Sequence, residues 1–522
     1  MKNIIKKYML PAAVVASLLP ACTDDFQEIN TDDYAVTEEL LEGDFQFAMV
    51  SFPQLTRSIY FNYDESNWKW QIVQNLNADV FSGYLAPPTP FRGNSNDTHY
   101  DFGWNGWAFN VAYENIMGPA YSLEQAKEKI SPKLYAVGLI LKVAGMHRVT
   151  DAYGPIPYTQ YGEAGATYDS QEAVYDAFFS ELNEAIAALE ADQDPLQAFS
   201  ANDDFFQGDF AAWKKFANSL KLRLAMRISN VAPAKAKQYA EQAIASGVFV
   251  DGDVAQVSGG VINNPLGEVS QVWGDTRMNA AIGSYLLGLN DPRLSIYFTP
   301  AAEGSGAVGE YVGIRHGAEL PDKGSGTYVN YSNVNPGFSG KDSPLRVMNA
   351  AEVYFLRAEA AVKGWNAGGS AQELYEAGIT ASFNQLGAVG ASEYIADATS
   401  MPAAYADPQN EAYDIASPSM VTVAWSDEAS AEEKLEKIIT QKWIANFPEG
   451  MEAWSEIRRT GYPKLFPVAH NKSGGKVDTE KGALRLPYPP EEAENNAAAY
   501  QAGVSALGGD DHAGTALWWD VD

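Results

Sequence analysis

The chain has a single thiol, Cys22, and the residues before it decide what chemistry it can do. Met1 to Lys7 form a short basic start, Tyr8 to Leu19 a short apolar run, and Leu19-Pro20-Ala21 put small residues directly before the sulfur. That order is an export signal, and the apolar run is too short to span a bilayer. A signal peptidase of the lipoprotein type cuts before a cysteine whose thiol has received a diacylglyceryl group. Residues 1–21 are therefore read as a signal that is removed, and Cys22 as a lipidated first residue. The alternative is an ordinary export signal with an incidental cysteine. With one cysteine, and that one lipidated, no internal disulfide is available, and stability must come from a packed core.

The second group of chemically suggestive residues lies between Asn77 and Tyr121. Tyr84, Phe91, Trp104 and Trp107 alternate there with Arg92, Asn94, Asn96 and Asn105. Sugars present apolar C–H faces and a rim of hydroxyls. Flat rings take the faces, and Asn, Asp and Arg side chains take the rim. The competing reading makes Trp104, Trp107 and Val111 an inward helical stripe. For Trp107 the two readings stand level. Trp104, at a Gly-rich loop entry, is expected to be exposed.

Motifs of catalysis and cofactor binding fare worse. Gly304-Ser-Gly306-Ala-Val-Gly309 matches GxGxxG, but strand-like Glu310-Tyr-Val-Gly-Ile314 follows it where a nucleotide-binding helix should start. The five histidines are dispersed and form no zinc set. His147 and Asp151, four apart, are read as a local hydrogen bond or cap at a helix end. Asp251-Gly-Asp253 lacks the closing carboxylate of an EF-hand, position 262 being Ile. With 67 acidic residues, carboxylate pairs arise by chance, and no nucleophile elbow is present. The reading is of a protein without catalytic residues, metal or cofactor.

Charge narrows the partners. The net charge is −31, and cleavage before Cys22 removes Lys2, Lys6 and Lys7 without an acid, leaving the mature protein more negative still. Such a surface repels nucleic acid, and it reaches a membrane only through acyl chains.

The elements that must position these residues are mainly α-helical. Residues 22–40 read as an acidic tether, and residues 41–522 as one domain. Helical periodicity covers Leu134 to Val149, breaking at Asp151-Ala-Tyr-Gly-Pro155, and Gln171 to Leu189, where Val174, Phe178, Leu182, Ala185 and Leu189 form a stripe behind a Ser170 N-cap. Phe210 to Ile228 turns Trp213, Phe216, Leu220 and Leu224 inward, with Lys214, Lys215, Lys221 and Arg223 expected on its outer face. Ala234 to Ala245 follows. Ala351 to Lys363, Ala371 to Ser382 and Glu432 to Asn446 repeat the theme. These helix pairs look like degenerate tetratricopeptide repeats without a strict period. Residues 77–103, 251–278, 299–346 and 462–522 are expected to be long irregular loops, aromatic enough to be packed.

Several runs together resemble one family. They are Asp151-Ala-Tyr-Gly-Pro-Ile-Pro-Tyr158, Trp213-Lys-Lys-Phe-Ala-Asn-Ser-Leu-Lys-Leu-Arg-Leu-Ala-Met-Arg227, Asn290-Asp-Pro-Arg293, Ala351-Glu-Val-Tyr-Phe-Leu-Arg-Ala-Glu-Ala360, Glu449-Gly-Met-Glu-Ala-Trp-Ser-Glu-Ile-Arg-Arg-Thr-Gly461 and Arg485-Leu-Pro-Tyr-Pro489. In this order they resemble the SusD/RagB family of nutrient-binding outer-membrane lipoproteins of Bacteroidota. The resemblance implies a scaffold of four tetratricopeptide-like helix pairs with irregular loops on the ligand face. It also implies a lipid-anchored position at the cell surface and a SusC-type TonB-dependent transporter as partner. The ligand would be a glycan or another oligomeric nutrient, handed to the barrel unchanged. The early loops and a middle insert of the family match residues 79–107 and about 263–335 by order and composition. This makes Tyr84, Arg92, Trp104, Asn105 and Trp273 the candidate ligand residues. Two other readings stay open: a surface glycan hydrolase, and a helical scaffold that binds only protein.

Overall fold

In a computed structural model of the chain, residues 49–521 are described apart from 61–63, 65, 191–196 and 303–304. Cys22 and the acidic tether lie outside the described residues. Eight helices carry the scaffold in four sequential pairs: α1 (Pro132–Tyr153) and α2 (Gln171–Glu190), α3 (Phe210–Arg227) and α4 (Pro233–Ser246), α5 (Ala350–Val362) and α6 (Ala371–Leu386), α7 (Ala431–Ala445) and α8 (Gly450–Thr460). Their starts are written in the sequence. Ser131 Oγ accepts from Lys133 N, Ser170 Oγ from Ala173 N, and Asp209 Oδ1 from Ala211 N and Ala212 N. Ser370 with Glu373, and Ser430 with Glu433, form reciprocal capping boxes on α6 and α7. α1 runs past the expected break and stops at Gly154, whose φ of +90° ends the helix where an L side chain would be strained.

Each helix packs on its neighbours in a continuous path. α1 meets α2, α2 meets α3, and α3 meets both α4 and α5. α5 then meets α6 and α7, α7 meets α8, and α8 returns to α1. The five residues of the α2 stripe are all buried, as the periodicity requires. Strands are few: β1 (Leu85–Ala86) pairs antiparallel with β3 (Arg277–Met278), and β2 (Val254–Val257) with β4 (Leu345–Asn349). Among the described residues, no helix is long and apolar enough to cross a membrane.

Three expectations are corrected. Lys214 and Lys215 do face outward, to Glu190 and Asp253, but Lys221 and Arg223 are buried. Lys221 Nζ donates to the amide oxygens of Asn183 and Gln242 at 2.7 and 3.2 Å, and Arg223 is received by a set of carboxylates on the helices that α3 packs near. Arg223 grips Glu352 of α5 through Nε and a terminal nitrogen, both at 2.7 Å. Arg227 reaches Glu452 and Glu456 of α8 at 2.5 and 2.9 Å. Lys442 of α7 meets the same two at 3.0 and 3.1 Å, and Arg459 of α8 takes Glu359 of α5 in a bidentate pair at 2.7 Å. Burial pushes the Glu452 carboxyl up, but Arg227, Lys442 and Arg223 outweigh it and hold it at about 2. His147 and Asp151 join this set at 3.5 Å, with Asp151 Oδ1 accepting from Tyr175 Oη and Trp519 Nε1. Charges this deep cost desolvation energy, so their return is registration: five helices lock in one arrangement because any slip strands a charge.

Residues 462–522 are not wholly irregular: they contain a helix at Ala497–Leu507. It buries only Ala499 and Gly503 and so has no stripe to read. Its alanine-rich sequence supplies intrinsic helix propensity instead. After Gly309, Glu310 to Gly313 form no strand, and Ile314 makes only an isolated bridge to Asn279.

Candidate functional site

Three π-helical segments stand out among the described residues: Gln71–Asn75, Tyr113–Met117 and Glu268–Val272. Such wide turns are rare and cluster at functional sites. Each adjoins exposed or half-buried tryptophan. Trp68 lies in the short helix Asn67–Trp70 that leads into the first, Trp107 opens the helix Trp107–Ala112 that leads into the second, and Trp273 caps the third. Helix Asn67–Trp70 also packs against Glu268–Val272, bringing the early and middle segments together. Asp275 ties them further, accepting from Gln71 Nε2 at 3.2 Å and pairing with Lys323 Nζ. Lys323 also donates to the Trp273 carbonyl at 2.7 Å.

The centre of this region is a pair of rings. Trp68 and Trp107 meet edge to face, centroids 5.0 Å apart at 86°. They are 42 % and 39 % exposed, whereas Trp70, Trp213, Trp454 and Trp519 are buried. The level choice for Trp107 therefore resolves to a partly exposed ring rather than a core one. Trp68 was not among the candidate residues. Asn67-Trp68-Lys69-Trp70 alternates polar and aromatic residues, but it lies before the stretch that was singled out.

Beside the pair lies a second small cluster. Trp107 N donates to the Trp104 carbonyl at 3.2 Å. The half-buried Trp104 ring takes the Phe91 ring on edge at 6.1 Å and the Arg92 guanidinium at 5.7 Å. Exposed Arg92 sits at φ +50° and donates to the Asp101 carbonyl at 3.2 Å. A Cβ at Gly103 would stand 2.3 Å from an Arg92 nitrogen, so glycine makes room for this placement. Beneath it, burial raises the Asp97 carboxyl to about 7, against the Gly103 amide that donates to it at 3.0 Å.

Two candidate ligand residues are corrected. Tyr84 has 0 % exposure. Its hydroxyl donates to the Trp443 carbonyl, and its ring stacks on Trp443 at 5.4 Å. A side chain enclosed in this way holds β1 to α7 and meets no ligand. Asn105 is buried too, with Nδ2 donating to the Pro487 carbonyl at 2.8 Å, so it anchors the loop that carries Trp104 and Trp107. Arg92, Trp104 and Trp273 keep access to solvent. Trp273 is tied to the Trp68 helix through the packing just described.

Chemically this is a place for stacking and hydrogen bonding. Among the described residues, no group of three or more His, Cys, Asp or Glu side chains is placed to hold a metal ion.

Comparison with known proteins gives the family. Residues 28–520 match the family model described as SusD-like, Susd and RagB outer membrane lipoprotein, and the chain belongs to that family. A chitin-binding SusD homolog from Flavobacterium johnsoniae is 44 % identical, with a TM-score of 0.86 over 91 % of this chain and 99 % of that one. A SusD homolog from Bacteroides vulgatus is 40 % identical, with a TM-score of 0.86 over 92 % and 99 %. One from Bacteroides uniformis is also 40 % identical, with a TM-score of 0.82 over 91 % and 99 %. No curated protein matches the chain. The protein is thus a nutrient-binding lipoprotein of the outer membrane. Membership implies pairing with a SusC-type transporter.

Proposed function

We propose that this lipoprotein captures chitin-type oligosaccharides on the Trp68–Trp107 pair and passes them intact to its transporter. The observation that carries this is the pair itself. Two tryptophan rings stay partly in water, at right angles, on short helices that each run into a π-helical turn. An exposed ring offers its face to the axial C–H groups of a pyranose, and a perpendicular neighbour forms a step that sets the direction of the chain. Arg92, Trp104 and Trp273 supply further contacts at the edges, where a second or third sugar unit would lie. The choice of chitin among glycans leans on the chitin-binding relative at 44 % identity.

Handover favours modest affinity, because residence time is set mainly by the off-rate and a ligand held too long does not reach the barrel. The test is calorimetric titration of chitin, cellulose and starch oligomers into the soluble mature chain. Chitin oligomers are expected to bind without reducing ends being released. Binding of another glycan but not of chitin oligomers would refute the ligand assignment. Release of product, abolished by one Asp or Glu substitution, would refute the non-enzymatic reading.

A further inference from the structure

A second concavity lies roughly 20 Å along the same run of helix from Trp107, at 1.5 Å per residue. Helix Gly118–Gln125, α1, α2 and the loop after α1 enclose a cavity of about 460 Å³. At about 30 Å³ per water this is room for a hexose-sized group. Its wall carries Glu124, Glu163 and Glu181 against one cation, Lys142.

Part of that wall is satisfied internally. Lys142 Nζ donates to Glu181 at 2.8 Å and lies 4.2 Å over the Tyr158 ring, whose hydroxyl donates to the same carboxylate at 2.5 Å. Lys127 Nζ lies 4.5 Å over Tyr135, which donates to Glu124. The protein thus already stations two ammonium groups on two of the cavity's tyrosines. The other two, Tyr121 and Tyr161, make an edge-to-face corner at 5.8 Å and 82°, with Tyr113 behind Tyr161 at 5.8 Å, and among the described residues no cation lies over either ring. Gly162, at φ +86°, lays the loop so close to Tyr121 that a Cβ would stand 2.5 Å from its ring, which holds the corner in place. Exposed Glu163 follows immediately.

We propose that this cavity is a binding site for an organic ammonium, a protonated primary amine on a ring or chain of about hexose size. The cation sits on the Tyr121–Tyr161 corner with Glu163 as its counter-charge. Ring faces attract a cation through their quadrupole, and the surplus of carboxylates in the wall adds to the attraction and disfavours anions. None of Trp68, Trp107 or Trp273 takes part, so the inference stands apart from the chitin reading.

The test titrates glucosamine, N-acetylglucosamine and lysine amide into the full mature protein, read by calorimetry and ligand-observed saturation-transfer NMR. Glucosamine is expected to bind saturably and its acetylated form to fail here. Tyr161→Ala and Glu163→Gln should each weaken binding about tenfold, whereas the Trp68→Ala/Trp107→Ala double variant should not. Equal binding of lysine amide would name any amine-bearing chain as the ligand, and binding of glucosamine alone would name an amino sugar. If Tyr161→Ala loses its native near-ultraviolet circular dichroism, the exposed Glu163→Lys decides in its place. The proposal is overturned if neither amine saturates, if the acetylated sugar binds equally through Tyr161, or if neither substitution weakens binding.

Discussion

Replacing Trp107 with Ala should weaken oligosaccharide binding by an amount the structure sets. A tryptophan side chain carries up to about 250 Å² of surface. At 42 % and 39 % exposure, each ring of the pair therefore offers about 100 Å² to a ligand. Covering all of it would contribute about 2.5 kcal/mol per ring at about 25 cal/mol per Å². A sugar covers one face, and the edge of the partner ring shadows part of it. About half that figure remains, or roughly a five- to tenfold rise in Kd for either single substitution. Trp68→Ala and Trp107→Ala should not add independently, since each also frees the ring it packs on. The double variant should nonetheless lose at least thirtyfold, roughly 2 kcal/mol. Titration calorimetry with a chitin hexamer measures all four corners of this cycle. Because both rings are more than half covered, thermal melting of each variant must accompany it. If all three variants remain folded and bind within twofold of the parent, the pair is not the platform and the reasoning fails.

Other outcomes follow from the scaffold and its anchor. Arg227→Met removes the cation between Glu452, Glu456 and Asp151 at a fully buried site. It should cost about 3–5 kcal/mol in guanidinium unfolding, and a loss under about 1 kcal/mol would show the network to be dispensable. Burial raises the Asp79 carboxyl from 3.8 to about 7, against side-chain donors on Gln74 and Asn75. Between those values the folded state binds the proton and the unfolded state does not, so this group's contribution to stability falls as pH rises and its cost is complete above about 7. Asp79→Asn should therefore gain stability over the parent at pH 8, by up to about 4 kcal/mol, and gain nothing near pH 4. A stability difference that is flat across that range would contradict it. Cys22→Ala should abolish membrane attachment without changing the melting temperature. The substituted protein, still found in the outer membrane of cells lacking the transporter, would show that Cys22 is not the anchor.

Local chemistry made the scaffold legible. α2 could be placed to within a residue because Ser170 caps it and its apolar residues recur on one face. α7 was placed as closely, whereas α6 runs four residues past the expected Ser382, to Leu386. The helix at Ala497–Leu507 escaped because periodicity reports burial, and this helix hides only two of its residues. Arg223 was misplaced for the converse reason, while Lys221 is taken inside by the amide oxygens of Asn183 and Gln242. A charged residue on a helix looks like surface until the carboxylates that receive it are known, and Glu352 is 129 residues away from Arg223 in the chain.

The ligand residues divide along the same line. From composition and order, the polar-aromatic stretch between Asn77 and Tyr121 could be singled out, together with a mainly helical body, and the family resemblance added the region around Trp273. Which ring faces water could not be read there. Tyr84 and Trp68 are both aromatic residues in early segments, yet one stacks on Trp443 with no exposure while the other stands 42 % open against Trp107. Residue type states what a side chain can bind, and local pattern states which helix or loop will carry it. Exposure depends on what arrives from hundreds of residues away, and for Tyr84 that is α7, 359 positions along the chain.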